Sequence, residues 1–156
     1  MNEIQRTKEG YGYTGEAFMP KDASIRFITY FSEEQVLSSL FMHRFAEELG
    51  HDVITQVFNI LNPEHFSDYR NDKAIGMRAG LYKAMVESGK HIDPPNIMAW
   101  LADKGLLHNG TEDYIYMICS NNVTSLDAEH YAEVVKDLYD KRMGISLDGD
   151  RKVVEL

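Results

Sequence analysis

Short runs of apolar residues at helical spacing, each closed by a glycine or a proline, are the feature that most limits what this chain can fold into. The first clear run consists of Val36, Leu37, Leu40, Phe41 and Phe45. Gly50 follows it as a stop, because glycine readily adopts the left-handed backbone that ends many helices. Comparable runs continue as far as Gly144. The pattern predicts an all-α fold, with a compact helical bundle as its head and a C-terminal helical hairpin.

The first helix of the bundle is predicted to begin at Ser32. Ser32 and Gln35 have the spacing of a capping box, with the serine at the N-cap and the glutamine at the third helical position. Residues 25–31 are mostly β-branched or aromatic, which favours an extended segment. The polar stretch before them carries Gly10, Gly12 and Gly15 and predicts a flexible arm, since glycine raises the entropy cost of ordering.

The chain is therefore predicted to divide into four parts along its length. Residues 1–31 form the arm and the extended segment, and residues 32–107 form the helical head. Residues 108–144 form the hairpin, and residues 145–156 form a tail. At 156 residues, the chain is long enough for one domain with a substantial core.

Further helix starts follow from residues whose side chains accept hydrogen bonds from a first helical turn. The predicted caps are Asp52, Asp93, Thr111 and Ser125. One more helix is predicted from about Asp72 to Glu87, where Gly76 and Gly80 lie one turn apart and permit close packing. Trp100 lies on the flank of the helix that follows Asp93. As the only tryptophan, it is either a partly buried core residue or an exposed anchor for a partner.

Charge and cysteine content restrict the partners and the compartment. The 25 acidic and 16 basic residues give a net charge of -9, which repels a phosphate backbone and argues against strong nucleic-acid binding. Cys119 is the only cysteine, so no internal disulfide forms. No apolar run is long enough for a bilayer, and the N-terminus lacks the apolar core of a signal peptide. These features predict a cytoplasmic protein without a membrane partner.

Motifs for catalysis, cofactors and metals are missing from the sequence. The only Gly-Lys pair is Gly89-Lys90, which has Ala84 in place of the first glycine of a phosphate loop and His91 in place of the hydroxyl residue. The six histidines fall in different predicted elements and form no metal-ligand spacing. Cys119 shares an apolar face with Ile118, which favours an inert buried thiol. We therefore predict no catalytic residue, no cofactor and no metal, and a binding module rather than an enzyme.

An ordered series of short motifs resembles the N-terminal domain of bacterial replicative DNA helicases, the DnaB family. The series comprises Phe66, Leu81-Tyr82-Lys83-Ala84-Met85, Gly89, Ile92-Asp93, Leu101, Gly105-Leu106-Leu107, Tyr114-Ile115 and Glu129-His130-Tyr131-Ala132-Glu133-Val134-Val135. The resemblance covers about Ser32 to Arg142. Two departures stand out: this chain has several more residues between Phe66 and Leu81, and it lacks the double glycine that usually precedes the residue matching Tyr114.

The resemblance implies an all-α domain in which helical hairpins pair, building a collar of three dimers that contacts the C-terminal domain of primase. The family's ATPase motor has no counterpart in this sequence. The chain is thus either the N-terminal part of a longer helicase or a stand-alone protein, for example of a phage or mobile element, that binds a host helicase or primase. The sequence leaves both alternatives open.

Self-association is predicted through Thr111 to Met143, with a composite surface then presented to primase or helicase subunits. The predicted contact residues are Ile118, Tyr131, Val135 and Leu138 as anchors and Tyr139 at the rim. The alternative is that all five close an internal helical bundle.

Two further functions remain as alternatives. Short helices with sharp turns are also typical of nucleic-acid-binding regulators. In that case the basic residues would be Arg70, Lys73, Arg78, Lys83 and Lys90. A small helical enzyme is the third alternative, and no group of residues in the sequence supports it.

Overall fold

Helices make up most of the computed structural model, which describes residues 21–120 and 127–144. Within those ranges there are seven α-helices, one turn of 3-10 helix at Pro63–His65 and one small β-hairpin. The helices are α1 (Lys21–Phe41), α2 (His43–Glu48), α3 (Val53–Phe58), α4 (Met77–Ser88), α5 (Pro94–Asp103), α6 (Thr111–Cys119) and α7 (Ala128–Arg142). The strands are β1 (Tyr69–Asn71) and β2 (Ala74–Ile75), which pair antiparallel. The predicted all-α class is confirmed.

The chain separates into two units, Met1–Tyr30 and Phe31–Leu156. In the first unit, the prediction of an extended segment over residues 25–31 is wrong, because α1 already runs from Lys21. The hydroxyl of Thr29 donates a hydrogen bond of 2.8 Å to the carbonyl of Ile25 one turn earlier, a local bond that suits a β-branched residue to a helix. Local β-propensity is a weak preference that context overrides.

The predicted helix start at Ser32 is wrong for the same reason, since Ser32 lies inside α1. In the second unit, the stretch from Gln35 to Leu40 is buried at every position, so this part of α1 passes through the core. Val36, Leu37 and Leu40 are fully buried, as their spacing predicts. Phe45 is 49% exposed instead, because the chain bends at Met42 and α2 begins with a different phase.

The segment before α4 differs most from its prediction. The predicted helix from Asp72 is a β-hairpin over residues 69–75, and α4 begins only at Met77. The carboxylate of Asp68 accepts hydrogen bonds from the backbone N–H groups of Arg78 (2.8 Å) and Ala79 (2.9 Å), so it caps α4 from outside the helix. A Cβ added at Gly76 would lie 2.5 Å from Asp68 Oδ2. Glycine is therefore required at position 76 by the side chain that caps the helix.

The remaining predicted caps have different outcomes. Asp52 and Asp93 accept hydrogen bonds from the N–H groups of Thr55 (3.1 Å) and Asn96 (3.0 Å), as predicted. Thr111 is the first residue of α6 rather than its cap, because Gly110 takes the N-cap position with a left-handed φ of 90°. The Thr111 hydroxyl accepts from the N–H of His108 instead. The predicted cap Ser125, the arm over residues 1–20 and the tail over residues 145–156 lie outside the described residues.

Helix α7 packs against α3 and the 3-10 turn. Its inner face is formed by Ala128, Ala132 and Val135, which are all buried. The residues that join α6 to α7 are outside the described part of the chain, and the division into head and hairpin stays a prediction. The inner face of α7 nevertheless belongs to the core that also contains α1 and α4.

Candidate interaction surfaces

An apolar recess of about 430 Å³ lies between α5 and α6. Asp93 caps α5 and is followed by Pro94 and Pro95 at the first two helical positions, where proline lacks only an N–H that would have no partner in the helix. These prolines and Met98 form one wall. The other wall belongs to α6 and consists of Glu112, Ile115, Tyr116 and Cys119. We call this the α5–α6 recess.

Helix α6 presents apolar side chains on two faces. Ile115 and Ile118 point into the core and are buried, whereas Tyr116 is 66% exposed and Met117 is 43% exposed. Burial raises the pKa of the Cys119 thiol, which keeps this side chain protonated and apolar in character. A helix that is apolar on an exposed face as well as on its buried face commonly meets another protein surface.

Of the five residues predicted to make the self-association contact, two are in the core of the chain itself. Ile118 is fully buried on α6, and Val135 is buried on α7, so both hold this chain's own helices together. For these two residues the burial fits the alternative of an internal bundle. Tyr131 and Leu138 are partly buried, and Tyr131 makes an edge contact with Phe31 at a ring-centroid distance of 5.9 Å. Whether any of the five contacts a partner stays a prediction.

Tyr139, the predicted rim residue, packs against the 3-10 turn. Its ring lies edge-on to His65 with the centroids 4.7 Å apart. The guanidinium of Arg142 lies 5.8 Å from the Tyr139 centroid and donates a hydrogen bond of 3.1 Å to the carbonyl of His65. The ring nitrogen Nδ1 of His65 accepts from the N–H of Asn62, and burial lowers the pKa of His65. The end of α7 is thus held against the turn by ring contacts and by a hydrogen bond from the Arg142 side chain to the backbone carbonyl of His65.

A buried polar cluster joins α1 to α4. The carboxylate of Glu33 has no exposed surface and accepts hydrogen bonds from Arg78 Nε (2.6 Å) and from the backbone N–H of Ser67 (2.7 Å). Burial raises the pKa of Glu33 against the opposing effect of these donors. Burial also acts to lower the pKa of Arg78, but the hydrogen bond and charge of Glu33 outweigh it and the pKa is raised.

The same cluster reaches α6 through Tyr114. Its hydroxyl donates a hydrogen bond of 2.7 Å to Glu34 Oε2 on α1. Burial and this bond raise the pKa of Tyr114, so the phenol keeps its proton. A hydrogen bond to the core helix α1 therefore helps to hold α6, and with it one wall of the α5–α6 recess, in position.

The cluster also bears on the nucleic-acid alternative. Arg78 is 14% exposed and is engaged by Glu33, so its charge is directed inward. Arg70 donates to the carbonyl of Ser67. Two of the five basic residues named for that alternative thus have partners within the chain.

In residues 21–120 and 127–144 no group of three or more histidine, cysteine or acidic side chains could hold a metal ion. No described helix has the length and apolar character needed to cross a bilayer.

The sequence prediction does not include Tyr116 and Met117 on the exposed face of α6, of which only Tyr116 lines the recess. Tyr116 and Met117 fall between the inward-facing Ile115 and Ile118, which places them on the outer face of the same helix. Two large apolar residues in that position were a signal for a contact surface. The prolines of α5 were interpreted only as a helix start, although they also form one wall of the recess.

The fold and these surfaces define an all-α bundle domain with an apolar recess beside one exposed helix face. The chain belongs to the family of DnaB-like helicase N-terminal domains, whose family model matches residues 29–137. This domain is the non-catalytic part of those replicative helicases.

A solved structure supports the same fold. The crystal structure of the N-terminal domain of DnaB helicase from Mycobacterium tuberculosis is similar to this chain with a TM-score of 0.55 and 25% sequence identity. The match covers 71% of this chain and 73% of that chain. A search of curated proteins found no match.

Proposed function

We propose that this chain is a self-associating interaction module of DNA replication, which presents a composite surface to primase or helicase subunits. The observation that carries the proposal is the exposed apolar face of α6 beside the α5–α6 recess. Its outward residues Tyr116 and Met117 replace Ile118 and Val135 as the anchors of the contact, because the latter two are buried in this chain. Family membership supports a place in replication.

The recess suits a partner that inserts a large apolar side chain. Its lining is mainly apolar, and Tyr116 supplies an aromatic ring with a polar hydroxyl at the edge, which is typical of the anchors of protein interfaces. In a symmetric dimer the same patch occurs on both subunits, so Tyr116 of one copy can fill the recess of the other. The hydrogen bond from Tyr114 to Glu34 and the buried Ile115 and Ile118 hold α6 in place without a partner.

Light scattering after size exclusion tests the self-association. We expect the full chain to form dimers or larger oligomers at concentrations up to about 100 µM, a range that detects even weak association. The double substitution Tyr116→Asp with Met117→Asp places two charges on the exposed face and should yield a monomer. Because neither side chain is in the core, the helical circular dichroism signal and the melting temperature should change little.

The matched control is Phe45→Asp, which changes an aromatic residue of 49% exposure on α2, away from the α5–α6 recess. This variant should keep the oligomeric state of the original chain. A chain that is monomeric over the whole concentration range overturns the proposed self-association. Equal dissociation by both variants would show that the α5–α6 recess is not the contact.

The second part of the proposal is the contact with primase or helicase subunits. Scattering should be repeated with the primase and the replicative helicase of the source organism, each mixed with the full chain. We expect one of them to form a complex, and we expect the monomeric variant to bind it at least about tenfold more weakly, since a composite surface needs both copies. A complex of unchanged affinity would show that the partner surface lies on a single copy.

A further inference from the structure

A second recess, which we call the tryptophan recess, lies between the β-hairpin and helices α4 and α5. Its volume is about 360 Å³, which is near the lower limit for ligand pockets in proteins and suits one or two side chains rather than a large cofactor. None of its lining residues also lines the α5–α6 recess. The tryptophan recess is therefore a surface separate from the α5–α6 recess.

The apolar part of this recess comes from three elements. Ile75 on β2 is buried, and Trp100 on α5 and Leu106 after it are partly buried. The hairpin that supplies Ile75 precedes α4, and it forms a wall beside Trp100, which is the only tryptophan of the chain. Large rigid aromatic rings in such positions are the commonest anchors of protein contacts.

Two lysines stand at the edge of the apolar part. The Nζ atom of Lys104 lies 5.7 Å from the centroid of the Trp100 ring, within the range of a cation–π contact. Lys83 on α4 lines the same recess. In the described part of the chain neither lysine lies within ion-pair distance of a carboxylate. Either ammonium group can therefore form an ion pair with a carboxylate that approaches from solution.

Two acidic residues also line the recess and limit what can bind. Asp72 accepts a hydrogen bond from the hydroxyl of Tyr69, and Glu87 lies one turn beyond Lys83 on α4. Their charges balance the two lysines, and the whole chain carries a net charge of -9. A polyanion such as single-stranded DNA is repelled under these conditions. A single carboxylate carries one charge, so the net charge of the chain repels it far less than a polyanion, and a local ion pair with one lysine can outweigh that repulsion.

We propose that the tryptophan recess docks a short peptide segment of a partner protein in which Asp or Glu stands next to a large apolar side chain. The apolar side chain packs against Trp100, Ile75 and Leu106. The carboxylate of the neighbouring residue pairs with Lys83 or Lys104.

Peptide display followed by fluorescence tests this inference. Random heptapeptides are selected on the full chain, and the selected peptides are then measured on the double variant Lys83→Ala with Lys104→Ala. We expect the selected peptides to be enriched in Asp or Glu adjacent to Leu, Ile or Phe. The best peptide, once synthesised, should change the emission of Trp100, which needs no label because the chain has no other tryptophan.

At least one of the single substitutions Lys83→Ala and Lys104→Ala should weaken that peptide about threefold to tenfold, which is the range of one partly exposed ion pair. Lys90→Ala is the matched control, because Lys90 is an exposed lysine that does not line the recess. This variant should bind the peptide with the affinity of the original chain. Replacing the acidic residue of the peptide by its amide should weaken binding to the same extent.

Three results would overturn the proposal. The first is a selection without acidic and apolar enrichment. The second is a peptide that binds the double lysine variant as tightly as the original chain. The third is a single-stranded oligonucleotide, such as a run of twenty thymidines, that saturates the Trp100 signal while the selected peptide does not. Lys83 is half-buried, and Lys104 and the control Lys90 are exposed, so unchanged melting temperatures keep each result interpretable.

Discussion

Arg78 Nε lies 2.6 Å from Oε1 of Glu33, a carboxylate that has no exposed surface. The two residues are 45 positions apart, so this ion pair joins the core part of α1 to the first turn of α4. Removing one partner of such a buried pair destabilises the fold, because the other charge then stays buried without a counter-charge.

Replacing Arg78 by methionine should therefore destabilise the protein strongly. We expect the free energy of unfolding, measured with urea, to fall by about 3–5 kcal/mol at neutral pH. The loss should be smaller near about pH 4, because a Glu33 carboxyl without its partner takes up a proton and becomes neutral. Arg44→Met is the control: Arg44 is exposed, and its replacement should change the free energy by less than about 0.5 kcal/mol. Equal losses for the two variants would contradict a structural role for the pair.

His65 should make the stability of the fold depend on pH. Burial lowers its pKa in the folded chain, while the unfolded chain keeps the ordinary value of about 6.5. The unfolded state therefore binds the proton more readily, so this group's contribution is complete above about pH 6.5 and is lost as the pH falls toward the lower folded pKa. Protonation would also remove the Nδ1 acceptor that receives the N–H of Asn62.

The measurement for His65 is urea denaturation between about pH 5 and pH 8. In His65→Gln the stability should fall less steeply below about pH 6.5 than in the original chain. The exposed His51 provides a control, and His51→Gln should keep the original slope. An unchanged slope in His65→Gln would show that other groups cause the pH dependence.

Gly76 and Gly80 form a matched pair for a test of the Asp68 cap. A Cβ at position 76 would meet the Asp68 carboxylate at 2.5 Å, whereas a Cβ at position 80 would find Ile75 at an ordinary 3.6 Å. Gly76→Ala should therefore displace the cap and cost about 1–2 kcal/mol. Gly80→Ala should be neutral or stabilise α4 by up to about 1 kcal/mol, since alanine favours helices. Thermal unfolding distinguishes the two, and similar effects at both positions would contradict the close approach of Asp68.

Val135→Asp and Tyr116→Asp separate a core residue from a surface residue. Val135 is buried on the inner face of α7, so an aspartate there should cause loss of the folded state. Tyr116 is exposed, and its aspartate variant should stay folded. Circular dichroism during heating provides the comparison. A folded, monomeric Val135→Asp variant would restore Val135 as a contact residue.

Much of the helical core was predictable because it depends on local spacing. Val36, Leu37 and Leu40 are buried where their periodicity places them, and Asp52 and Asp93 cap their helices through neighbours three residues away. The errors arise where distant residues decide the outcome. Ser32 has a capping pattern but lies within a helix that begins earlier, and Asp68 caps α4 across the β-hairpin.

The same distinction between local spacing and distant contacts applies to the candidate site. Its helix α6 follows from the spacing of Ile115 and Ile118, but the recess needs the distance between two helices, which no local pattern contains. The sequence predicts Ile118 and Val135 as contact residues and the structure buries both, since an apolar stripe alone does not reveal whether it faces the chain's own core or a partner.

The hydrogen bond from Tyr114 to Glu34 has a consequence for the order in which the protein folds. Its two residues are 80 positions apart, and the bond from Arg142 to His65 joins residues 77 positions apart. On the ribosome, α1 emerges long before the residues that complete its polar contacts are synthesised. We therefore expect the carboxylates of Glu33 and Glu34 to stay hydrated in the nascent chain until α4 and then α6 have left the exit tunnel.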